Sequence, residues 1–358
     1  MYSDLNNLCV EQDRSILEAV TRMEISKIGI VLIVDENRRL VGTITDGDVR
    51  RALLDRVGFD QSVGVLLARK VGTVFAKPIA ASIHVGREIW IGLMKRHRIL
   101  HLPLLDEREC VAGVVRLEEL LSEQPFRLEA VVMAGGEGRR LMPLTEDLPK
   151  PMLPVGDRPL METIIRSLQE AGVRKVKVTT HHKPEKIKEH FGDGRDFGVE
   201  LSYVREDRPL GTAGGLGLME TPKETTLVIN GDILTNVDYL AMLAFHKEHQ
   251  ADLTVAVRHY DIKVPYGVIE CEGPVVRGLT EKPEFGVFVN AGIYLLEPVA
   301  YSFIPSGQRF DMTELIARLL DEGRLVVSFP IREYWLDVGD NASYQRAQED
   351  AKKLNGPS

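Results

Sequence analysis

Part of this chain occurs twice, and no other feature limits its folding as strongly. The segment IGIVLIVDENRRLVG (28–42) aligns without a gap on ILHLPLLDERECVAG (99–113). Asp35 falls on Asp106, Glu36 on Glu107 and Gly42 on Gly113, an offset of 71 residues (106 less 35). Each copy carries the pattern of a helix, an apolar strand, an acidic turn, a second strand and a second helix. A unit of this size buries little by itself, so the two copies are expected to pair and share an apolar face. Their spans are about 1–65 and 72–122 within a first domain of 1–122.

The polar stretch SEQPFRLE (122–129), with Pro125, marks a boundary, and a linker is expected at 123–127. From 128 to 358 apolar strand candidates alternate with amphipathic helices. LEAVVMA, KVKVTT, TTLVINGD and DLTVAV alternate with PLMETIIRSLQEAG, PEKIKEHFG and VDYLAMLAFHKEHQ. This order predicts an α/β domain with a doubly wound, mostly parallel Rossmann-like sheet and ligands at the carboxyl ends of its strands.

Composition removes several function classes. A net charge of -8 argues against a general nucleic-acid binder. Cys9, Cys110 and Cys271 have no metal-type spacing and fit reduced thiols. The N-terminus has no apolar signal core, and the longest dense apolar run, Ile28 to Val34, is too short to span a bilayer. A cytoplasmic protein without membrane or nucleic-acid partners is the expectation.

The chemistry concentrates after LEAVVMA, in AGGEGRRLMPLTEDLPKPMLPV (134–155). Ala134, Gly135, Gly136 and Gly138 let backbone amides approach an anion. There is no GxxxxGK[ST] string, and Leu141 stands where a dinucleotide loop needs its third glycine. Arg140 brings a fork suited to phosphate oxygens and Lys150 a compact charge. Farther on, Asp232 ends an apolar strand in LVINGDIL, and Asp337 follows another in YWLDVGD. Asp340 is better placed to cap the last helix.

Two resemblances follow from these motifs. GTITDGDVRRAL and the duplicated unit resemble a tandem pair of CBS domains. That implies an adenine nucleotide whose ribose would be held by Thr45 and Asp48, although N-capping of a helix explains the same two residues. The second copy has Arg116 and Glu119 at the matching positions. CBS pairs often self-associate, which implies a homo-oligomer.

The loop from Ala134, together with RPLGTAGGL, PYGVIE, LTEKPE and VNAGIYLLEP, resembles the sugar-1-phosphate nucleotidyltransferases, close to those of the mannose-1-phosphate guanylyltransferase type. The resemblance implies conversion of a nucleoside triphosphate and a sugar 1-phosphate into an NDP-sugar and pyrophosphate. It implies Arg140, Lys150 and Asp232 in catalysis, and Mg2+ on Asp232 and Asp337. The nucleotide would be held by Ala134, Gly135, Gly136, Gly138, Gly211 and Thr212, with the Thr212 hydroxyl presented to the base. Gly267, Glu281, Lys282, Asn290 and Gly292 would hold the sugar phosphate. Arg139 receives no role. GTP with a hexosamine or mannose 1-phosphate is favoured, and adenylyl, uridylyl or thymidylyl transfer and a non-catalytic nucleotide sensor are the alternatives.

Overall fold

The computed structural model describes residues 2–120 and 128–355. The expected linker at 123–127 lies outside the described residues. The chain divides into two compact units, Met1–Pro125 and Phe126–Ser358.

The first unit holds two three-stranded sheets. Strands β1 (Cys9–Glu11), β2 (Ile30–Val34) and β3 (Leu40–Thr45) form one in that order. Strands β4 (Ala81–Ser82), β5 (His101–Leu105) and β6 (Val111–Arg116) form the other. The 71-residue offset persists in the backbone. Val10 lies opposite Ile33, as Ala81 lies opposite Leu104. Both antiparallel pairs shift register at the same place, between Ile33 and Val34 and between Leu104 and Leu105. The acidic turns match too. Asp35 Oδ1 accepts from the amides of Asn37 and Arg39, and Asp106 Oδ1 accepts from those of Arg108 and Cys110. Arg38 and Glu109 have φ of 61° and 62°. The copies meet where Arg39 bridges Cys110, and Leu32 and Val34 pack with Val111 and Val114.

The second unit begins with β7 (Glu129–Met133) and a short hairpin of β8 (Pro154–Val155) and β9 (Arg158–Pro159). There follow β10 (Lys175–Thr180), β11 (Glu200–Arg205), β12 (Thr226–Asn230), β13 (Ile233–Thr235) and β14 (Leu253–Lys263). The last are β15 (Val268–Glu272), β16 (Val275–Thr280), β17 (Glu284–Leu296), β18 (Val326–Ile331) and β19 (Trp335–Asp337). Seven of them form the central sheet in the order β11-β10-β7-β12-β17-β14-β18. Every pairing is parallel except the two made by β17. Side chains of β7 alternate between faces as strand geometry requires. Ala130 and Val132 pack with helices 160–170, 184–191 and 239–249, while Val131 packs with helix 312–321 and the 298–304 segment. Helices therefore cover both faces.

Between Val255 and Val257 the register breaks, because Val255 opposes Tyr294 whereas Val257 opposes Asn290. Beyond Arg258, where β18 ends, β14 and β17 continue as a two-stranded ribbon to Lys263 and Glu284. Strands β15 and β16 form a second ribbon in the connection between them. No helix among the described residues is long and apolar enough to cross a membrane.

Candidate active site

Three parallel strands end together. The amide of Ala134, just past β7, donates to Thr179 O at the end of β10 (3.1 Å), and the amide of Gly231, just past β12, donates to Met133 O (2.8 Å). A cleft of about 700 Å³, partly open to solvent, lies over these ends. Of the residues expected from sequence, Ala134, Gly135, Gly136, Lys150, Gly211, Thr212 and Asp232 line it. This is the carboxyl-end position that open parallel sheets favour for ligands.

Two carboxylates and two cations stand beside one another, Lys150 and Asp232 lining the cleft and Arg140 and Asp337 outside that lining. Strand β13 pairs with β19 so that Ile233 faces Asp337, and the amide of Val338 donates to Asp232 O (3.0 Å). This short ladder brings Asp232 and Asp337 together across about a hundred residues of chain. Lys150 is buried and forms an ion pair with Asp232 Oδ2. Arg140 reaches toward Asp337, since a Cβ placed on Gly339 would stand 3.5 Å from both Arg140 Nη2 and Asp337 Oδ1. Burial and the neighbouring Asp232 push the Asp337 carboxyl above the usual range, with Lys150 and Arg140 pulling it back. Asp232 Oδ1 is buried without a hydrogen-bond partner. An unpartnered carboxylate oxygen beside a second, reluctantly ionised carboxylate suits a hard cation that takes one or two protein carboxylates and fills its shell with phosphate and water oxygens. The donor set therefore fits Mg2+. Asp340 accepts from the amide of Ser343 (2.8 Å) at the start of helix 341–355, so its carboxylate caps that helix. Arg139 turns outward onto Glu137 (2.5 Å), which gives it a place on the surface.

Beside Gly135 lies a group that the sequence did not single out. Glu206 follows β11, is only 4% exposed and lines the cleft. Its Oε2 accepts from the amide of Leu210 (3.0 Å), and a Cβ on Gly135 would stand 3.0 Å from Oε1. His181 Nδ1 lies 2.9 Å from the carbonyl of Glu206 and steadies this segment. In VREDRP the residue resembles any charged turn, and only the crossover of β11 beside β10 turns it inward. Asn230 also lines the cleft, with a buried Oδ1 that has no partner.

The Thr212 hydroxyl, expected to face the base, also engages the chain itself. Its Oγ1 accepts from the amide of Met312 (2.8 Å) and lies 3.5 Å from Asp311 Oδ1. These contacts place the hydroxyl at the start of helix 312–321.

The remaining expected residues stand at varying distances from the cleft. Gly138 shapes the loop from beneath, its carbonyl accepting from Thr145 Oγ1 (2.9 Å). Gly292 abuts Asn230, and Asn290 Oδ1 accepts from the Gly292 amide (3.0 Å) at the β17 bulge. Gly267 and Glu281 face each other across the β15–β16 ribbon, with Glu281 Oε2 2.9 Å from where a Cβ on Gly267 would be. Lys282 is exposed at φ 45°. None of these five sugar-phosphate candidates lines the cleft.

In the first unit, Thr45 and Asp48 form a complete capping box on helix 46–54. Asp48 Oδ2 also accepts from Lys70 Nζ (2.6 Å), and Oδ1 from Arg51 (2.7 Å). A carboxylate offers about four acceptor sites, and the Thr45 amide and hydroxyl take two more. A ribose would have to share this carboxylate with these partners. In the second copy Arg116 and Glu119 pair with each other (2.9 Å).

A nucleotidyl transferase family model matches residues 129–353, and a CBS domain model matches residues 3–55. A mannose-1-phosphate guanylyltransferase of Mycobacterium tuberculosis is 33% identical over 240 residues, covering 65% of this chain and 67% of the relative. A UTP–glucose-1-phosphate uridylyltransferase of Synechocystis is 30% identical over 62% of this chain, and the chain spans 62% of that relative. A D-glycero-alpha-D-manno-heptose 1-phosphate guanylyltransferase of Aneurinibacillus thermoaerophilus is 29% identical over 62% of this chain and 98% of its own length. Among solved structures, a Bacillus anthracis protein named for glucose-1-phosphate thymidylyl transfer superposes with a TM-score of 0.53 at 25% identity. It covers 64% of this chain and 98% of that one.

Proposed function

Because the chain belongs to the nucleotidyl transferase family, we propose that it makes a GDP-sugar and pyrophosphate from GTP and a mannose-type or hexosamine 1-phosphate. The attacking group is a phosphate oxygen, ionised at neutral pH, so no general base is needed. Catalysis then rests on alignment and charge neutralisation. Arg140 stabilises the departing pyrophosphate. Lys150, already buried beside Asp232, aligns the reacting phosphates. Asp232 and Asp337 would hold Mg2+, which would supply neutralisation of phosphate charge. Gly267, Glu281 and Lys282 of the β15–β16 ribbon, with Asn290 and Gly292 at the β17 bulge, would meet the sugar phosphate.

The observation that carries the choice of base is Glu206. An ionised carboxylate only accepts hydrogen bonds. Guanine presents two adjacent donors, N1–H and the 2-amino group, on its pairing edge. Adenine and cytosine set their donor beside an acceptor, and uracil and thymine place a single N–H between two carbonyls. A carboxylate at the base end of the cleft therefore matches guanine and meets an acceptor on every other base. The curated guanylyl relatives favour the same base, although uridylyl and thymidylyl relatives keep UTP and dTTP as the comparison. The test is Glu206→Gln, assayed with GTP, UTP and dTTP. The expected result is a fall of about 10- to 100-fold in the preference for GTP in kcat/KM, the discrimination a two-point base contact carries. An unchanged preference removes Glu206 from base reading.

The repeat unit is proposed to bind an adenine nucleotide at Thr45 and Asp48 and to bring the chain into a homo-oligomer. The ribose would share the Asp48 carboxylate with Lys70 and Arg51. Titration calorimetry with AMP and ATP on wild type and Asp48→Asn tests the site, with loss of heat in the variant expected. Equal binding by both contradicts it.

A further inference from the structure

The turn that would face the base is tied to a distant helix by backbone hydrogen bonds and by one carboxylate. Leu210 to Gly214 lie against residues 310–312. The Phe310 amide donates to Leu210 O (2.8 Å), and the amides of Ala213 and Gly214 both donate to Phe310 O (2.9 and 2.8 Å). Asp311 supplies the side-chain link. Its Oδ1 accepts from the Thr212 amide (2.9 Å). The same carboxylate caps helix 312–321 in a reciprocal box, with the Asp311 amide donating to Glu314 Oε2 (2.7 Å). Thr212 Oγ1 in turn accepts from the Met312 amide. Gly211 has φ of +80°, and its missing Cβ leaves the space that Asp311 Oδ1 enters. Asp311 is not among the residues that line the cleft, whereas Gly211 and Thr212 are.

We propose that Asp311 is a positioning residue for nucleotide selection, holding the Gly211–Thr212 turn at the height the base requires by anchoring it to the N-terminus of helix 312–321. The inference rests on the nucleotidyl transfer reading above. An amide held by a carboxylate cannot swing with the loop, and one hydrogen bond to a charged group carries about a 10- to 100-fold effect. Its loss should fall on the nucleotide and leave the sugar phosphate and the charged quartet at Asp232 untouched.

Two substitutions separate this role from helix capping. Serine is a good N-cap, but it is a bond too short to hold both the Glu314 amide and the Thr212 amide. Asparagine keeps an oxygen in the place of Oδ1. The measurement is steady-state kinetics on the full chain, with thermal unfolding in parallel. Asp311→Ser is expected to raise the KM for the nucleoside triphosphate about 10-fold or more, with kcat and the KM for sugar 1-phosphate within about 3-fold of wild type. Asp311→Asn is expected to restore the nucleotide KM. A wild-type nucleotide KM in Asp311→Ser overturns the proposal, as does a loss that Asp311→Asn does not repair. A wild-type enzyme that prefers another base would fault the guanine assignment, and the Asp311 effect would then be read with that base.

Discussion

At the residue scale the site is a matter of paired charges. Asp232 and Asp337 would repel each other in a partly buried place, and Lys150 and Arg140 offset that repulsion before any substrate arrives. Removing one member should expose the others. Asp232→Asn is expected to lower turnover by about 10²-fold or more, the scale of losing one preorganised electrostatic group, and near wild-type turnover would contradict the assignment. Arg140 is exposed, so Arg140→Ala should slow pyrophosphate release while leaving the unfolding temperature unchanged. A large fall in stability would make Arg140 structural. These four residues were legible because each stands at the end of an apolar strand or in the loop that follows one. Glu206 was not, since its inward direction comes from a strand crossover. The contact of the Thr212 hydroxyl with Met312 was not legible either, because the two are 100 residues apart.

At the element scale, the β13–β19 ladder matters more than its three residue pairs suggest, because it sets the spacing between the two aspartates. Ionising Asp337 is costly where it sits, since burial and Asp232 raise its pKa. A raised carboxyl favours the folded state while protonated, and this contribution is lost as pH rises through the folded pKa. Above that pH the ionised pair is under repulsion that a divalent cation relieves. Added Mg2+ should therefore raise the unfolding temperature at neutral pH, and by less as the pH falls into the carboxylate range. Asp337→Asn should lose most of the Mg2+ effect. An equal shift in the variant would move the ion elsewhere. The central strands were readable from their continuous apolar runs, as parallel strands covered on both faces should be. The ribbons formed by β15–β16 and the outer halves of β14 and β17 were not. Tyr260, Ile262, Leu279 and Phe285 are exposed there, so burial imposes no pattern on the sequence. The β17 bulge is likewise silent until the neighbouring strands are in place.

At the scale of the whole molecule, duplication explains the first unit down to matching bulges and turns, and a gapless alignment was enough to reveal it. What the alignment could not reveal is that Asp48 is already engaged. Burial would raise its carboxyl, but Lys70 and Arg51 outweigh that and hold it below the usual range. A depressed carboxyl stabilises the fold above its unfolded pKa, about 3.9, and the contribution is lost as pH falls through the folded value. Asp48→Asn should thus cost about 3–5 kcal/mol near neutrality, as expected for breaking a buried pair, with the difference from wild type shrinking below about pH 4. A variant equally stable at every pH would contradict the pairing. The second unit carries the central claim, that the chain joins a guanine nucleotide to a sugar phosphate. The most direct measurement crosses five nucleoside triphosphates with a panel of sugar 1-phosphates, with Mg2+ present, and scores pyrophosphate. The prediction is release that requires both substrates and is fastest with GTP and a mannose-type or hexosamine 1-phosphate. Release independent of the sugar phosphate, or none with any pair, would contradict it.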